Sequence, residues 1–478
     1  MSDFIIKAEN LGFCYENSPT ASLEALNFDI KQGEIILLTG DSGSGKSTLL
    51  NCLNGLIPNL IDGELSGSLY LGEQSYTDLP LEELGRQIGT VFQNPRSQFF
   101  TTNTTSELVF PMENYGYQRE EMQSYLEKAT REFALTPLLD RDIFTLSSGE
   151  RQLLALASAK ILNQKVLLFD EPSANLDYGH AMALQKLLLR MQKQGVTSIV
   201  SDHRSFYLQG ILNRVFLMKN GHLQIFDSET AFLNSPYRSR EQEILEPSDP
   251  ITREAMRGDR IARIQSISYQ EILSNVCFDC YKQEIVAIVG KNGVGKTTLA
   301  RLLIKSLKPT GGDIVYPDLP YYVMQDADYQ LFGTSVWEEL KLLPRVVSDE
   351  ERTAVLKQLN LSDFKYSHPF NLSGGQKQRL QIATACLSGK DFLIFDEPTS
   401  GLDRTNMQLV AQRLNALKNQ ASILIISHDI EFIRLIADRI IYLKDKSVSQ
   451  DFLLTADNSR QLTAIFKEIA AETKFFSE

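Results

Sequence analysis

"GEIILLTGDSGSGKSTLL" (33–50) decides the fold of this chain, because an apolar run, a glycine-rich turn and a helical stretch follow one another. Glycines let backbone N–H groups curl around an anion, and the following helix points the positive end of its dipole at it. The lysine and serine that end "GDSGSGKS" (40–47) complete the pattern of a phosphate loop. The stretch therefore predicts a nucleotide-binding α/β domain.

The chain carries this stretch and its companions twice, in the same order, so the fold is a tandem repeat. Short β-rich runs alternate with helical stretches in each half, which predicts a mostly parallel, layered α/β sheet. Lys46 to Gln93 is 47 residues and Lys296 to Gln325 is 29, so we expect the second half to lack about a hairpin there. The repeated pairs are 33–50 with "QEIVAIVGKNGVGKTTLA" (283–300), "FTLSSGERQ" (144–152) with "FNLSGGQKQ" (370–378), "VLLFDEPSANLD" (166–177) with "FLIFDEPTSGLD" (392–403), and "SIVSDHRSF" (198–206) with "LIISHDIEF" (424–432).

Residues 235–260 are polar, contain three prolines and show no apolar period, which predicts a linker. We therefore expect a first domain at 1–234, the linker, a second domain at 261–458 and a helical tail at 459–478. In the tail, Leu462, Ile465 and Ile469 lie roughly on one helical face, so we expect this face to pack on the protein.

Composition excludes several classes of protein. The chain has 478 residues, enough for two or three domains, and its 43% hydrophobic and 23% charged residues are typical of a folded globular protein. Its apolar runs are strand-sized, and its start, "MSDFIIKAEN", shows no secretion signal, so we expect a cytoplasmic chain, at most docked on a membrane protein. A net charge of −12 argues against a dominant nucleic-acid surface.

Five cysteines, an odd number, imply reduced thiols. The pair Cys277 and Cys280 in "CFDC" resembles a redox or zinc motif. Aligning the halves places the two cysteines opposite Asn27 and Ile30 of a predicted strand, and no second Cys/His pair completes a metal site. We therefore expect both cysteines on a strand.

Each half supplies the residue types that phosphate chemistry requires. Lys46 and Lys296 are positioned to reach the outer phosphates, and the hydroxyls of Ser47 and Thr297 to hold Mg²⁺.

The runs "VLLFDE" (166–171) and "FLIFDE" (392–397) are predicted buried strands that end in two acids. Burying adjacent carboxylates is costly unless a metal or hydrogen bonds offset the penalty. We therefore expect the first acid of each run, Asp170 or Asp396, to bind Mg²⁺. The second acid, Glu171 or Glu397, then polarises the attacking water.

The order phosphate loop, Gln, LSGGQ-like phrase, acid pair, "LD" turn and His resembles the ATP-binding cassette (ABC) ATPases, over both halves. The resemblance implies an α/β fold of two tandem ABC ATPase domains with helical subdomains, which bind ATP and Mg²⁺ and pair within one chain as a pseudo-dimer. In this family the LSGGQ-like phrase of one cassette caps the ATP of the other. Ser148 and Glu150 depart from the phrase, and the negative charge of Glu150 predicts modestly weaker closure on the Lys296 loop.

The resemblance also implies a role for each matching position. In this family the matching histidines contact the γ-phosphate, the matching glutamines touch Mg²⁺ and link to the transport partner, Asp177 and Asp403 form interface turns, and the tyrosines stack on adenine. The implied catalytic residues are Glu171, Glu397, His203 and His428; the implied metal residues are Ser47, Gln93, Asp170, Thr297, Gln325 and Asp396; the implied ATP-binding residues are Tyr15, Gly40, Asp41, Ser42, Gly43, Ser44, Gly45, Lys46, Ser47, Thr48, Ser147, Gly149, Tyr269, Gly290, Lys291, Asn292, Gly293, Val294, Gly295, Lys296, Thr297, Thr298, Ser373 and Gly375.

"QNPRSQFF" (93–100) and "QDADYQLF" (325–332) each repeat Gln five places on, at Gln98 and Gln330. With "NGLIP" (54–58), these segments resemble the ATPases of energy-coupling-factor (ECF) importers. That resemblance implies a membrane coupling protein and a small substrate-binding membrane protein as partners, a place on the cytoplasmic face of the cell membrane, and uptake of a vitamin or transition-metal ion. A sugar-importer ATPase and a ribosome-associated translation factor remain the alternatives.

Overall fold

The computed structural model of the chain describes residues 4–16, 18, 20–41, 43–93, 95–174, 176–202, 205–237, 258–400, 402 and 404–473. Three predicted site residues, Ser42, His203 and Asp403, lie outside the described residues, as do 238–257 of the predicted linker and 474–478 of the tail. The chain folds into two compact units, one built mainly from the first half and one mainly from the second.

The first half contains two sheets. The strands are β1 Ile6–Tyr15, β2 Leu23–Ile30, β3 Ile35–Thr39, β4 Gly63–Leu71, β5 Gln74–Ser75, β6 Ile88–Val91, β7 Val166–Asp170, β8 Thr197–Ser201, β9 Arg214–Lys219 and β10 His222–Phe226. An antiparallel sheet has the order β2-β1-β4-β5, and a larger sheet has the order β10-β9-β3-β8-β7-β6. In the larger sheet every neighbouring pair is parallel except β9 with β10.

Helices cover these sheets. They are α1 Lys46–Leu53, α2 Leu56–Asn59, α3 Leu81–Gln87, α4 Pro95–Gln98, α5 Thr104–Asn114, α6 Arg119–Glu132, α7 Ser148–Lys160, α8 Tyr178–Lys193 and α9 Glu229–Leu233. The central strands β3, β7 and β8 are buried almost throughout, as expected for parallel strands covered on both faces. One core joins the antiparallel sheet, α1 and one face of the larger sheet, through residues such as Phe13, Leu50 and Leu168.

The second half repeats this plan. Its strands are β11 Arg260–Tyr269, β12 Leu273–Tyr281, β13 Ile285–Val289, β14 Gly311–Val315, β15 Tyr321–Val323, β16 Phe392–Asp396, β17 Ser422–Ile426, β18 Arg439–Lys444 and β19 Ser447–Leu453. The sheet orders are β12-β11-β14 and β15-β16-β17-β13-β18-β19. The helices are α10 Lys296–Leu303, α11 Val336–Glu339, α12 Asp349–Gln358, α13 Gly374–Leu387, α14 Arg404–Leu417, α15 Ile430–Ile436 and α16 Ser459–Glu472.

Two cores lie on opposite faces of the larger sheet of the second half. One joins the antiparallel sheet and α10 to this sheet through residues such as Phe278, Leu299 and Ile426. The other joins the sheet to α13 and α14, with Leu380 and Val410 among its members. The mostly parallel, layered α/β arrangement is thus confirmed, whereas the separate antiparallel sheet of each half was not predicted.

The halves differ by more than the predicted hairpin. Between the phosphate-loop helix and the glutamine, the first half has α2, β4, β5, α3 and β6, while the second half has β14 and β15 within its described residues. The short strand β5 and the helices α2 and α3 therefore account for the extra length of the first half.

The structure also confirms two smaller expectations, on the cysteines and on the tail. All five cysteines are free, and Cys277 and Cys280 lie on β12, as predicted. The tail contains α16, in which Leu462, Ile465 and Ile469 are buried together with Phe466. No helix in the described part of the chain combines the length and apolarity needed to cross a bilayer.

Candidate nucleotide site

The first phosphate loop connects β3 to α1 and folds around the ammonium of Lys46. Lys46 Nζ donates hydrogen bonds to the carbonyl oxygens of Gly40 at 2.7 Å and Asp41 at 3.0 Å. The turn requires glycine at position 40, because a Cβ atom there would lie 2.1 Å from the carbonyl oxygen of Met218. The loop therefore holds a cation inside a turn of backbone at the start of a helix, the arrangement that binds phosphate.

The second phosphate loop repeats this geometry between β13 and α10. Lys296 Nζ donates to the carbonyl oxygens of Gly290 at 2.7 Å and Lys291 at 3.1 Å. Burial lowers the pKa of Lys296, and nearby Glu397 opposes that shift. The two loops thus present equivalent lysines to a bound phosphate.

The acid pairs lie at the same edge of the sheets as the loops. Asp170 ends β7 opposite Ser201 of β8, and β8 in turn pairs with β3, which leads into the loop. Asp396 ends β16 opposite Ile426 of β17 in the same way. The carboxyl ends of neighbouring parallel strands meet at one edge, so the fold brings loop and acids together.

Glu171 and Glu397 have left-handed backbones, with φ of 47° and 51°. Their amides donate to the next strand, Glu171 to the carbonyl of Ser201 at 2.7 Å and Glu397 to that of Ile426 at 2.8 Å. A non-glycine residue in such a conformation costs about 1–3 kcal/mol and is typical of functional sites. The same strained turn occurs after both strands and aims the two glutamates alike.

In the second half, Glu397 is coupled to His428. The Nδ1 atom of His428 lies 2.8 Å from Oε1 of Glu397, and the backbone amide of His428 donates to Oε2 at 3.3 Å. Gln378 Nε2 donates to the carbonyl oxygen of Glu397 at 2.8 Å. Burial raises the pKa of the Glu397 carboxyl, but the contacts with His428 and Lys296 outweigh it and the net shift is downward. The geometry keeps Glu397 ionised and oriented.

In the first half, a glutamine contacts Glu171. Gln93 Nε2 donates to Oε2 of Glu171 at 2.6 Å. Gln93 and the corresponding Gln325 of the second half are both exposed. His203, the counterpart of His428, lies outside the described residues.

Asp396 lies among oxygen atoms suited to a hard cation. The Tyr322 hydroxyl donates to Oδ2 of Asp396 at 2.9 Å, and the side chain of Thr297 also forms a hydrogen bond with this carboxylate. Burial, and then the neighbouring Glu397, raise the pKa of Asp396 to about 6. A carboxylate and a hydroxyl this close to the phosphate loop fit Mg²⁺, which prefers oxygen ligands.

Glutamines fix the two segments that follow the edge strands β6 and β15. Gln98 accepts from the amide of Phe92 at 3.2 Å and donates to the carbonyl of Ala155 at 3.3 Å. Gln330 accepts from the amide of Met324 at 2.9 Å and donates to the carbonyl of Tyr322 at 2.7 Å. The repeated glutamines therefore anchor these segments to the sheet edge.

The LSGGQ-like phrases begin α7 and α13 with the same cap. Ser147 Oγ accepts from the amide of Glu150 at 3.2 Å, and Glu150 Oε2 accepts from the amide of Ser147 at 2.7 Å. Ser373 and Gln376 exchange equivalent bonds of 3.4 and 2.8 Å. Both are capping boxes, which satisfy amides at the helix start. Glu150 thus has the local structural role of Gln376.

Glu150 also has a cation beside it. Arg141 Nη1 lies 3.3 Å from Oε1 of Glu150. Burial raises the pKa of Glu150, but the hydrogen bonds from Ser147 and the charge of Arg141 lower it to a net value below the ordinary range. The extra negative charge that the sequence shows in this phrase is therefore largely compensated within the first half.

The two predicted adenine-stacking tyrosines end equivalent strands. Tyr15 ends β1, and its hydroxyl lies 3.1 Å from that of Thr48 on α1. Tyr269 ends β11 and packs against the core that contains α10. Each is therefore held beside its phosphate-loop helix.

Sequence reasoning missed Tyr322 and Gln378. Neither residue stands at a motif position for which a chemical role was expected. Each contacts a residue that lies far from it in the sequence. Comparing the two halves three places before the glutamine would have marked Tyr322 as a difference, since Thr90 stands there in the first half.

The sequence model of the ABC transporter family matches residues 23–174 and 273–400. The chain belongs to this family. A putative ABC transporter ATP-binding protein of Treponema denticola is 36% identical over 493 residues, covering 97% of this chain and 100% of the relative. A putative HMP/thiamine import ATP-binding protein of Bacillus subtilis is 28% identical, covering 94% and 91%.

Among solved structures, an RNase-L inhibitor superposes with a TM-score of 0.68 at 22% identity, covering 96% of this chain and 93% of its own. At this identity the likeness shows the fold alone. Together the matches make the chain an ATPase with two tandem ABC cassettes.

Proposed function

We propose that this chain is the ATPase subunit of an ECF-type importer, at the cytoplasmic face of the cell membrane, where it powers uptake of a vitamin or a transition-metal ion. The likeness to the Bacillus subtilis protein, whose name gives it an import role, supports this proposal. So does the paired arrangement of the glutamine segments in both cassettes.

The observation that carries the proposal is an exposed phenylalanine on a rigidly held loop in each cassette. Phe100 and Phe332 are 76% and 77% exposed. The buried carboxylate of Glu107 accepts from the amides of Phe100 and Thr101 at 3.0 and 2.9 Å. Glu339 accepts likewise from the amide of Phe332 at 2.7 Å. Rigid exposed aromatic side chains are typical of residues that bind a protein partner.

We assign the catalytic roles on the basis of the site geometry. Lys46 and Lys296 bind the outer phosphates, while Glu171 and Glu397 accept a proton from the attacking water. His428 keeps Glu397 oriented, and we assign the same role to His203 in the first cassette. When bound, Mg²⁺ would supply charge neutralisation at the phosphates. The residues that would hold it are Ser47, Gln93, Asp170, Thr297, Gln325 and Asp396.

We assign the remaining predicted residues to ATP as the family resemblance implies. Tyr15 and Tyr269 stack on adenine, and the backbone of each phosphate loop binds phosphate. Ser373 and Gly375 close on the nucleotide of the Lys46 loop, and Ser147 and Gly149 on that of the Lys296 loop. We place the first cassette at 1–234, the linker at 235–260, the second cassette at 261–458 and the tail at 459–478.

Affinity purification from detergent-solubilised membranes tests the proposed function. An ECF-type ATPase should retain two small integral membrane proteins, and the substrate-binding one identifies the solute. Replacing Phe100 and Phe332 together by Ser should remove both partners and leave ATP binding intact. A matched pair, Leu60→Ser with Val315→Ser, replaces other exposed apolar residues, at 70% and 52% exposure, and should keep them. Retention of ribosomes in place of membrane proteins would favour a translation factor.

A further inference from the structure

Strand β15 carries two adjacent tyrosines that face opposite sides of the sheet, as successive strand residues do. Tyr321 packs against the core that contains α13 and α14, and its hydroxyl donates to Oγ1 of Thr384 at 3.0 Å. Tyr322 packs against the core that contains α10, and its hydroxyl donates to Asp396. Only the second of these phenols therefore lies on the phosphate-loop side.

We propose that Tyr322 is a positioning residue that fixes the carboxylate of Asp396 for the divalent cation of the second site. The inference rests on the proposed assignment of Asp396 to Mg²⁺. Tyr322 belongs to none of the motifs that the sequence identified. If it positions Asp396, the two cassettes should bind the divalent cation with unequal affinity.

The physical reason is that a carboxylate binds a cation more tightly when its rotation is already restricted. Asp396 is 2% exposed, so little water is available to hydrogen-bond its oxygens. The phenol holds Oδ2 at 2.9 Å, and Thr297 bonds the same carboxylate. Partners of this kind orient metal ligands, and losing one typically weakens metal binding by about 10–100-fold.

The first cassette has a different side chain at this position. Tyr322 stands opposite Ile394 of β16, and Thr90 stands opposite Leu168 of β7, the residue that occupies the place of Ile394. A threonine hydroxyl is one bond from Cβ, whereas a phenol hydroxyl lies at the far end of an aromatic ring. The two cassettes therefore differ at a position that reaches the metal-binding edge in the second one.

The test uses the full chain carrying Lys46→Ala, so that nucleotide binding reports on the second loop. Mn²⁺ is the probe, titrated with a non-hydrolysable ATP analogue while electron paramagnetic resonance measures the free ion. Tyr322→Phe keeps the ring and removes only the hydroxyl, and it should weaken Mn²⁺ binding by about 10-fold. Nucleotide binding in EDTA should stay unchanged, because the phenol acts on the carboxylate and not on ATP.

Tyr321→Phe is the matched control, since it removes a phenol hydroxyl from the adjacent residue on the opposite face. It should leave Mn²⁺ affinity at the parental value, and melting curves should show both variants folded. Unchanged Mn²⁺ affinity in Tyr322→Phe would overturn the inference, as would equal losses in the two variants. If the parent shows no nucleotide-dependent Mn²⁺ binding, the metal assignment itself fails and the inference fails with it.

Discussion

The two cassettes place their proposed catalytic glutamates on nearly identical backbones, but in the described residues only one of the two glutamates contacts the glutamine that follows the edge strand. Glu171 and Glu397 share the left-handed conformation and the amide bond to the neighbouring strand. Gln93 donates to Glu171, whereas no contact of the described residues joins the corresponding Gln325 to Glu397, which contacts His428. The edge of the sheet therefore determines where the proposed catalytic carboxylate lies in both halves. The contact made by the glutamine differs between them.

Removing both carboxylates should have the largest effect. Glu171→Gln together with Glu397→Gln should lower ATP hydrolysis by about 10²–10⁴-fold, because no general base remains in either cassette. Binding of a fluorescent ATP analogue should persist, since the phosphate loops are untouched. Turnover near the parental rate would show that neither glutamate is the base.

Removing the histidine tests the contact that orients Glu397. In a Glu171→Gln chain, which leaves hydrolysis to the second cassette, His428→Ala should lower single-turnover hydrolysis by about 100-fold, since Glu397 loses the contact that orients it. His222→Ala in the same chain is the control, because His222 is exposed and pairs only with Glu24 among the described contacts. Equal rates with and without His428 would remove it from the mechanism.

The anchoring glutamines should differ in the stability that they contribute. Gln330 takes part in three hydrogen bonds of 2.7 to 2.9 Å, one of them from Gln381, while Gln98 makes two longer ones. At about 0.5–1.5 kcal/mol for each bond, Gln330→Ala should lower the melting temperature more than Gln98→Ala. The exposed Gln123→Ala should change it little. A larger drop for Gln98→Ala would contradict this ranking.

The smallest expected effect concerns Glu150. The sequence predicts that its charge weakens closure on the Lys296 loop, but the structure pairs it with Arg141 and uses it as a cap. We therefore expect Glu150→Gln to change ATP turnover less than about twofold, since exposed ion pairs contribute under about 1 kcal/mol. A severalfold gain in turnover would restore the original prediction.

The cap of Glu150 also predicts a pH dependence of stability. The pKa of this carboxyl is lowered in the folded chain, so its stabilisation is present above the ordinary value of 4.5 and is lost as the pH falls through the lower one. The difference in melting temperature between parent and Glu150→Gln should therefore shrink with acidification. A difference that grows instead would assign the opposite sign to the shift.

The sequence predicted the features that local spacing encodes. Glycines, lysine and a following helix are contiguous in "GKNGVGKT" (290–297), so the loop and its chemistry could be predicted from the sequence. The contact of Tyr322 with Asp396 joins residues 74 positions apart, and no local pattern specifies which side chain on a neighbouring strand reaches the site. The contact between Arg141 and Glu150 was likewise not predicted from the sequence, because it depends on the turn that brings the two residues together.

The two single variants, Glu171→Gln and Glu397→Gln, test the central claim that both cassettes are complete and differently organised. Single-turnover ATP hydrolysis should be followed in each over a range of Mg²⁺ concentrations. We expect both to hydrolyse well above the double variant, and Glu171→Gln, which keeps the Asp396 site active, to reach half its maximal rate at a lower Mg²⁺ concentration. A single variant as inactive as the double, or identical Mg²⁺ dependence in the two, would contradict the account.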